Sequence, residues 1–323
     1  MDKLLLSLIR LVQSESGGEK MEHLIGSFVA IVAPMHESGD LDLPSFNKLL
    51  HMHKSVGVAG IVVNGTTGES VTLTKAEQNK LLSIAVAELK GSNTLVIAGT
   101  GTNNTVTTIL ETQEAFALGA DACLLIAPYY NRPTQKGLYQ HFLKVANSVA
   151  GPLILYNHPG RTGVDLLPET VSSLSEHKNI VAIKDACGNV ERFIELSAKC
   201  VPSFSLLSGD DSIACNAIGA GAHGVVSVAA NIIPAQMQNL VEHSIQKSND
   251  AYDFNEVLQP LFQALNIEVN PIPIKWVMHK LCLIGPGIRM PLLPLSSQYH
   301  DQLTSVLDDL GVEEQMKDLV SIV

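Results

Sequence analysis

Basic side chains are in short supply: 21 lysines and arginines face 32 aspartates and glutamates, a formal charge of −11. That balance argues against a nucleic-acid partner or an anionic membrane surface, because both need concentrated Lys and Arg. Any anionic ligand must find a locally positive site. The cysteines Cys123, Cys187, Cys200, Cys215 and Cys282 are odd in number and scattered, without a CxxC pair. They read as small core residues of a reducing, cytoplasmic protein, not as a disulfide framework or a zinc site. No uninterrupted apolar run approaches the roughly 18 residues a membrane helix needs. The apolar start, Met1 to Arg10, contains Asp2 and Arg10 and runs into Ser14-Glu15-Ser16-Gly17-Gly18 with no usual cleavage site. It reads as a short helix and linker outside the fold, residues 1–21, rather than a signal peptide, and Met21 serves equally well as a start. Internal repeats and low-complexity tracts are also absent.

What the chain has is apolar material, 46% of its 323 residues, enough for a large core. Short apolar runs bounded by Gly, Pro, Asn and Asp fall at 28–34, 57–65, 94–99, 122–128, 152–156, 180–184, 204–209 and 224–230. Helical stretches follow them at 43–56, 74–89, 105–118, 135–149, 168–176, 190–200, 212–218 and 234–245. Runs such as Leu153-Ile154-Leu155 lack polar alternation, as parallel strands covered on both faces do. A doubly wound open sheet competes, but its only glycine-rich turn, Gly99-Thr100-Gly101-Thr102-Asn103-Asn104, lacks the third glycine of a dinucleotide fingerprint. The alternation therefore predicts a closed (β/α)8 TIM barrel over 22–247. Residues 248–323 read as a C-terminal helical appendage, with Asn270-Pro271-Ile272-Pro273 starting one helix and Gly285-Pro286-Gly287 breaking another.

The run 180–184 ends in Lys184, which shares a strand face with Ala182 while Val181, Ile183 and Asp185 take the other. The neighbouring carboxylate does not automatically pair with the ammonium. Two readings stay open: a lysine snorkelling out at a strand end, or a desolvated amine able to form a Schiff base with a carbonyl substrate. In a barrel the reacting groups gather where strands end, so the segments after the other runs matter. Asn64-Gly65-Thr66-Thr67-Gly68-Glu69-Ser70 is either a carboxylate-binding turn with two hydroxyls or an ordinary capped turn. Aromatic residues are only 5% of the chain, so the tyrosines in Tyr129-Tyr130-Asn131-Arg132-Pro133 and Tyr156-Asn157-His158-Pro159-Gly160-Arg161 stand out as proton carriers or as core. Arg161 reads as a carboxylate clamp or a solvated loop residue. His51 and His53 point apart on a helix, nothing in sequence activates Cys187, and Asp210-Asp211 suits a helix cap better than a cation.

Together, Gly65 to Ser70, Tyr129 to Pro133, Tyr156-Asn157 with Arg161-Thr162-Gly163, and Ile183-Lys184-Asp185-Ala186 resemble the dihydrodipicolinate synthase family, pyruvate-dependent class I aldolases that include N-acetylneuraminate lyase. The likeness spans residues 22–300 and takes in Leu207 to Asp211, Gly224 to Val228 and Asn270 to Trp276. It implies a cofactor-free, metal-free lyase of lysine and diaminopimelate biosynthesis, a homotetramer, in which Lys184 condenses with pyruvate and the enamine attacks aspartate-4-semialdehyde. By the same resemblance Thr67, Tyr156 and Tyr130 form a proton relay, with Tyr130 reaching into a neighbouring subunit. Thr66 binds substrate, Arg161 receives the semialdehyde carboxylate, and the backbone of Gly209 and Val226 lies near the Schiff base. A sister aldolase acting on a sugar acid is the nearest alternative, and Arg161-Thr162-Gly163 speaks against it. A non-catalytic binding barrel is the other. His158, Cys187 and Asp185 depart from the residues usual at their positions. Feedback by lysine is expected to be weak or absent, because Lys75, Gln78 and Thr107 stand where sensitive members carry two histidines and a glutamate.

Overall fold

Eight short, largely apolar segments form one closed parallel barrel, and the computed structural model describes residues 11–13, 19–21, 23–248 and 250–321 of the chain. The barrel strands are, in order, Gly26–Ala30, Gly60–Val63, Leu95–Gly99, Ala122–Ile126, Leu153–Asn157, Ile180–Asp185, Ser205–Ser208 and Gly224–Ser227. Each neighbours the next, and the eighth closes on the first. The predicted TIM barrel is present. Every residue of the first, second and fifth strands is buried, as a sheet covered on both faces requires.

Local chemistry sets the helix ends. Asp42 caps Leu43–Val56 by accepting from Ser45 N at 3.0 Å, and Gly57 ends that helix at φ 78°. Thr74 and Glu77 form a reciprocal capping box at the start of Lys75–Leu89. Helix boundaries therefore follow the sequence within a residue or two. Strand ends do not. The apolar run after the first strand continues through Ile31, Val32 and Ala33, all buried, although they lie outside the strand. There the backbone turns to the side chain of Asn231, which accepts from Val32 N and donates to Ala30 O. Hydrophobicity marked burial, not the last rung. Two further elements were read as loop or strand, the helical turn Pro159–Thr162 and the 3-10 turn Ala229–Asn231.

Ahead of the barrel, Leu11–Gln13 pairs antiparallel with Glu19–Met21, where the sequence reading expects a helix and linker. The helix expected over the first ten residues lies outside the described residues. The chain divides into two compact units, 1–26 with 99–226 and 27–98 with 227–323. In the second, the C-terminal helices Asp250–Ala264, Ile272–Lys280, His300–Asp309 and Val312–Ser321 accompany the first three strands. The break at Gly285-Pro286-Gly287 has a steric basis: a Cβ at 285 or 287 would come within 2.6 or 2.0 Å of the carbonyl oxygens of Met35 and His36. Among the described residues no helix is long and apolar enough to cross a membrane.

In the first unit, the sixth strand is fixed from behind. Asp185 has no exposed surface, and its carboxylate accepts from Asn157 Nδ2 at 2.9 Å and from Cys187 N at 3.0 Å. Arg192 Nε forms an ion pair with it at 3.3 Å, while both terminal nitrogens of Arg192 donate to Asp165 at 2.9 and 3.0 Å. Asn157 closes the ring by donating to Asp165 Oδ1 at 2.8 Å. Two carboxylates, one guanidinium and one amide thus share a set of charge-assisted bonds. Arg192→Ala is expected to destabilise the fold by about 3–5 kcal/mol in urea unfolding, because a buried carboxylate loses its cation. Adding Asp185→Asn should restore part of that loss, and a neutral effect of the single change would contradict the assignment.

Candidate active site

Lys184 lies on the sixth strand, in register with Tyr156 on the fifth. It is only 7% exposed, which rules out the snorkelling reading. Its Nζ stands 4.3 Å from the centre of the Tyr156 ring, and it makes no ion pair among the described residues. Asp185 points to the opposite face, as strand alternation requires. Gly209 follows the seventh strand, and its amide donates to Asp185 O at 2.8 Å. A Cβ at 209 would sit 2.9 Å from Lys184 Cε and 2.7 Å from Ala186 Cβ, so only glycine leaves the amine its space. The first unit therefore brings Lys184, Tyr156 and Gly209 together.

After the fifth strand, His158 starts the Pro159–Thr162 turn, its carbonyl accepting from Arg161 N at 2.9 Å and Thr162 N at 3.0 Å. Proline at the first helical position presets the turn that presents Arg161, which is exposed. The His158 ring packs edge-on against Tyr156 at 6.1 Å. Burial first, then the neighbouring charges of Arg161 and Lys184, push its pKa down to about 4, so a neutral imidazole faces the site near pH 7. Burial, aided by Asp185, pushes the Cys187 thiol up to about 12, which removes it as a nucleophile at neutral pH. Tyr130 is 89% exposed and holds a φ of 71°, uncommon for a tyrosine. Its loop is anchored by Asn131 Nδ2 donating to Asn103 O and Arg132 Nε donating to Gly163 O. Val226 is buried in the eighth strand.

In the second unit, the segment after the second strand folds as a tight turn. Glu69 N and Ser70 N donate back to Thr66 O and Gly65 O at 3.0 and 3.3 Å, so these amides close the turn instead of awaiting a carboxylate. The hydroxyls remain. Thr67 is buried and accepts from Asn270 Nδ2 at 3.0 Å, whereas Thr66 is half-buried with no side-chain hydrogen bond among the described residues. The buried Glu69 carboxylate takes Lys275 Nζ and, at 2.9 Å, Arg289 N. Elsewhere His51 pairs with Glu88 at 3.0 Å while His53 is fully buried, with burial pushing its pKa down to about 3. Asp210 Oδ1 accepts from Ser212 N and Oγ within the turn, whereas the following helix, Ala214–Gly219, starts at Ile213 without a side-chain cap, so the expected helix cap is not formed.

Four residues with clear structural work were not singled out from the sequence: Asn157, Asp165, Arg192 and Asn270. Arg192 opens an amphipathic helix, where an arginine reads as solvated. Asn157 and Asn270 were noticed only as letters in longer motifs. A buried polar residue flanked by strand or proline is the signal that was available for both.

A strand-end lysine stripped of water, a phenol beside it and a glycine that clears its path are parts that Schiff-base chemistry can use. The sequence profile of the Dihydrodipicolinate synthetase family matches residues 23–310. The 4-hydroxy-tetrahydrodipicolinate synthase of Alcanivorax borkumensis is 48% identical over 90% of this chain and 98% of its own. A crystal structure of chloride-inhibited dihydrodipicolinate synthase from Acinetobacter baumannii, complexed with pyruvate, is 44% identical, covers 90% of this chain and 99% of that one, and superposes with a TM-score of 0.88. The Cyanidioschyzon merolae enzyme with lysine bound is 36% identical at a TM-score of 0.87, covering 90% and 99%. With its family profile, its near relatives and its lysine-centred barrel in accord, the chain belongs to the dihydrodipicolinate synthetase family.

Proposed function

We propose that this protein catalyses the aldol condensation of pyruvate with L-aspartate-4-semialdehyde, the reaction of the 4-hydroxy-tetrahydrodipicolinate synthases it resembles. The observation that carries the reading is Lys184, buried, without an ion pair among the described residues and 4.3 Å from the Tyr156 ring. Its amine adds to the pyruvate keto carbon and water leaves, giving the Schiff base. Loss of a methyl proton makes an enamine, whose carbon attacks the aldehyde while the new alkoxide takes a proton. The product's own amine then adds to the Schiff-base carbon and displaces Lys184, closing the ring. Tyr156 hands protons on and off in these steps, and Arg161 takes the semialdehyde carboxylate as a bidentate clamp.

The two threonines divide the work by their surroundings. The resemblance gives the relay to Thr67 and substrate binding to Thr66. A relay hydroxyl must exchange the direction of its hydrogen bond, and the Thr66 hydroxyl has no hydrogen-bond partner among the described residues, whereas that of Thr67 is held by Asn270. These environments favour the exchange: Thr66 relays, and Thr67 binds the pyruvate carboxylate. The backbone of Gly209 and Val226 lines the Schiff base. Tyr130 supports a homo-oligomer, a tetramer by family likeness, since a strained loop that holds a phenol in solvent suits a residue completing a neighbour's site.

In a coupled assay, pyruvate with aspartate semialdehyde should turn over and pyruvate with N-acetylmannosamine should not. Arg161→Ala should raise the semialdehyde KM at least tenfold while leaving the pyruvate KM within threefold, and sub-millimolar lysine should not inhibit. Turnover of the sugar acceptor alone would transfer the protein to the sister activity. Tyr130→Phe should lower kcat more than tenfold, and sedimentation should show an oligomer; a fully active monomer would contradict the shared tyrosine.

A further inference from the structure

The segment 270–289 does more than cover the second unit. Three of its residues reach the turn that carries Thr66 and Thr67. Lys275, 4% exposed, pairs with the buried Glu69 carboxylate and donates to Ala33 O at 3.2 Å, joining this helix to the turn and to the exit of the first strand. Arg289 donates from its backbone amide to Glu69 and from its guanidinium to Gly39 O, Thr72 O and Glu77. Both partners of the Glu69–Lys275 pair are out of water, so breaking it would leave a buried charge unpaired. Asn270 is two residues ahead of that helix, and its Nδ2 reaches Thr67 Oγ1 at 3.0 Å.

An amide nitrogen can only donate, so the Thr67 oxygen is the acceptor in that bond and its single proton must point elsewhere. We propose that Asn270 is a positioning residue that fixes the Thr67 hydroxyl as a hydrogen-bond donor to the substrate carboxylate. This rests on the reading of Thr67 as the pyruvate-carboxylate contact. A serine or threonine hydroxyl with no fixed partner presents a lone pair or a proton indifferently, and a carboxylate attracts only the proton. Asn270 removes the choice before the substrate arrives, as preorganised donors do. Selectivity for a 2-oxo acid over a neutral ketone is the functional consequence, set by a residue outside the barrel strands.

The test reverses the polarity of that bond. Asn270→Asp keeps the side-chain shape but offers only acceptors, so the Thr67 proton turns to the new carboxylate and a lone pair faces the substrate. The pyruvate KM should rise more than tenfold, beyond the rise in Asn270→Ala, with the Tm of each within a few degrees of the parent. A direct charge effect is separated by a double-mutant cycle: in a Thr67→Val background Asn270→Asp should change the pyruvate KM less than twofold. An equal rise in both backgrounds, an unchanged KM in Asn270→Asp, or a fall in kcat at constant pyruvate KM would each overturn the inference. Borohydride trapping of pyruvate on Lys184 at saturating pyruvate should persist in all these variants. Persistent trapping with the wrong KM pattern defeats this inference alone, whereas no trapping in the parent protein defeats the underlying reading.

Discussion

The neutralisation of Asp185 by Arg192 and Asn157 is the constraint on which the site depends. A carboxylate with no exposed surface follows directly after Lys184, and left to itself it would draw in the nearest cation. Arg192, bridged to Asp165, supplies that cation from the far side of the strand. Lys184 can then face the interior without an ion pair among the described residues. The same network ties the fifth strand to the sixth through Asn157, and so sets Tyr156 beside Lys184. Packing and chemistry meet in one set of hydrogen bonds: the strand that carries the amine buries a carboxylate on its opposite face because that carboxylate is satisfied there.

The second unit solves a different problem with similar means. The turn bearing Thr66 and Thr67 contains Glu69 at a φ of 52°, a left-handed conformation that a glutamate does not adopt freely. Its carboxylate is held by Lys275 and by the Arg289 amide, both contributed from the C-terminal segment. Those helices therefore serve as more than ballast, because they hold the turn whose hydroxyls are proposed to meet the substrate. Glycines at 285 and 287 let that segment lie directly on the backbone of Met35 and His36.

Most of the architecture was legible because it depends on local rules. Caps at Asp42 and Thr74 and prolines at helix starts mark helices within a residue or two, and unbroken apolar runs mark parallel strands. Where strands stop was not legible, since Ile31 to Ala33 are as buried as the strand before them. Among site residues, Lys184 stood out because a lone lysine interrupts an apolar run, and Gly209 fits tightly against it. The partners of Asp185 and Thr67 were hidden for a common reason. Arg192 is 7 residues beyond its carboxylate and Asn270 is 203 beyond its hydroxyl, and no periodicity in a single sequence reports which polar side chain will close across such a gap. The hydroxyl of Thr67 looked like its neighbour's until the fold gave it a partner.

The proposed function rests on Lys184 as the covalent centre. Incubation of the protein with pyruvate and sodium borohydride, followed by peptide mass spectrometry, tests it most directly. One reduced pyruvate adduct on Lys184, abolished in Lys184→Ala, is the predicted result. An adduct on another lysine, or full turnover by the Lys184→Ala protein, would contradict it.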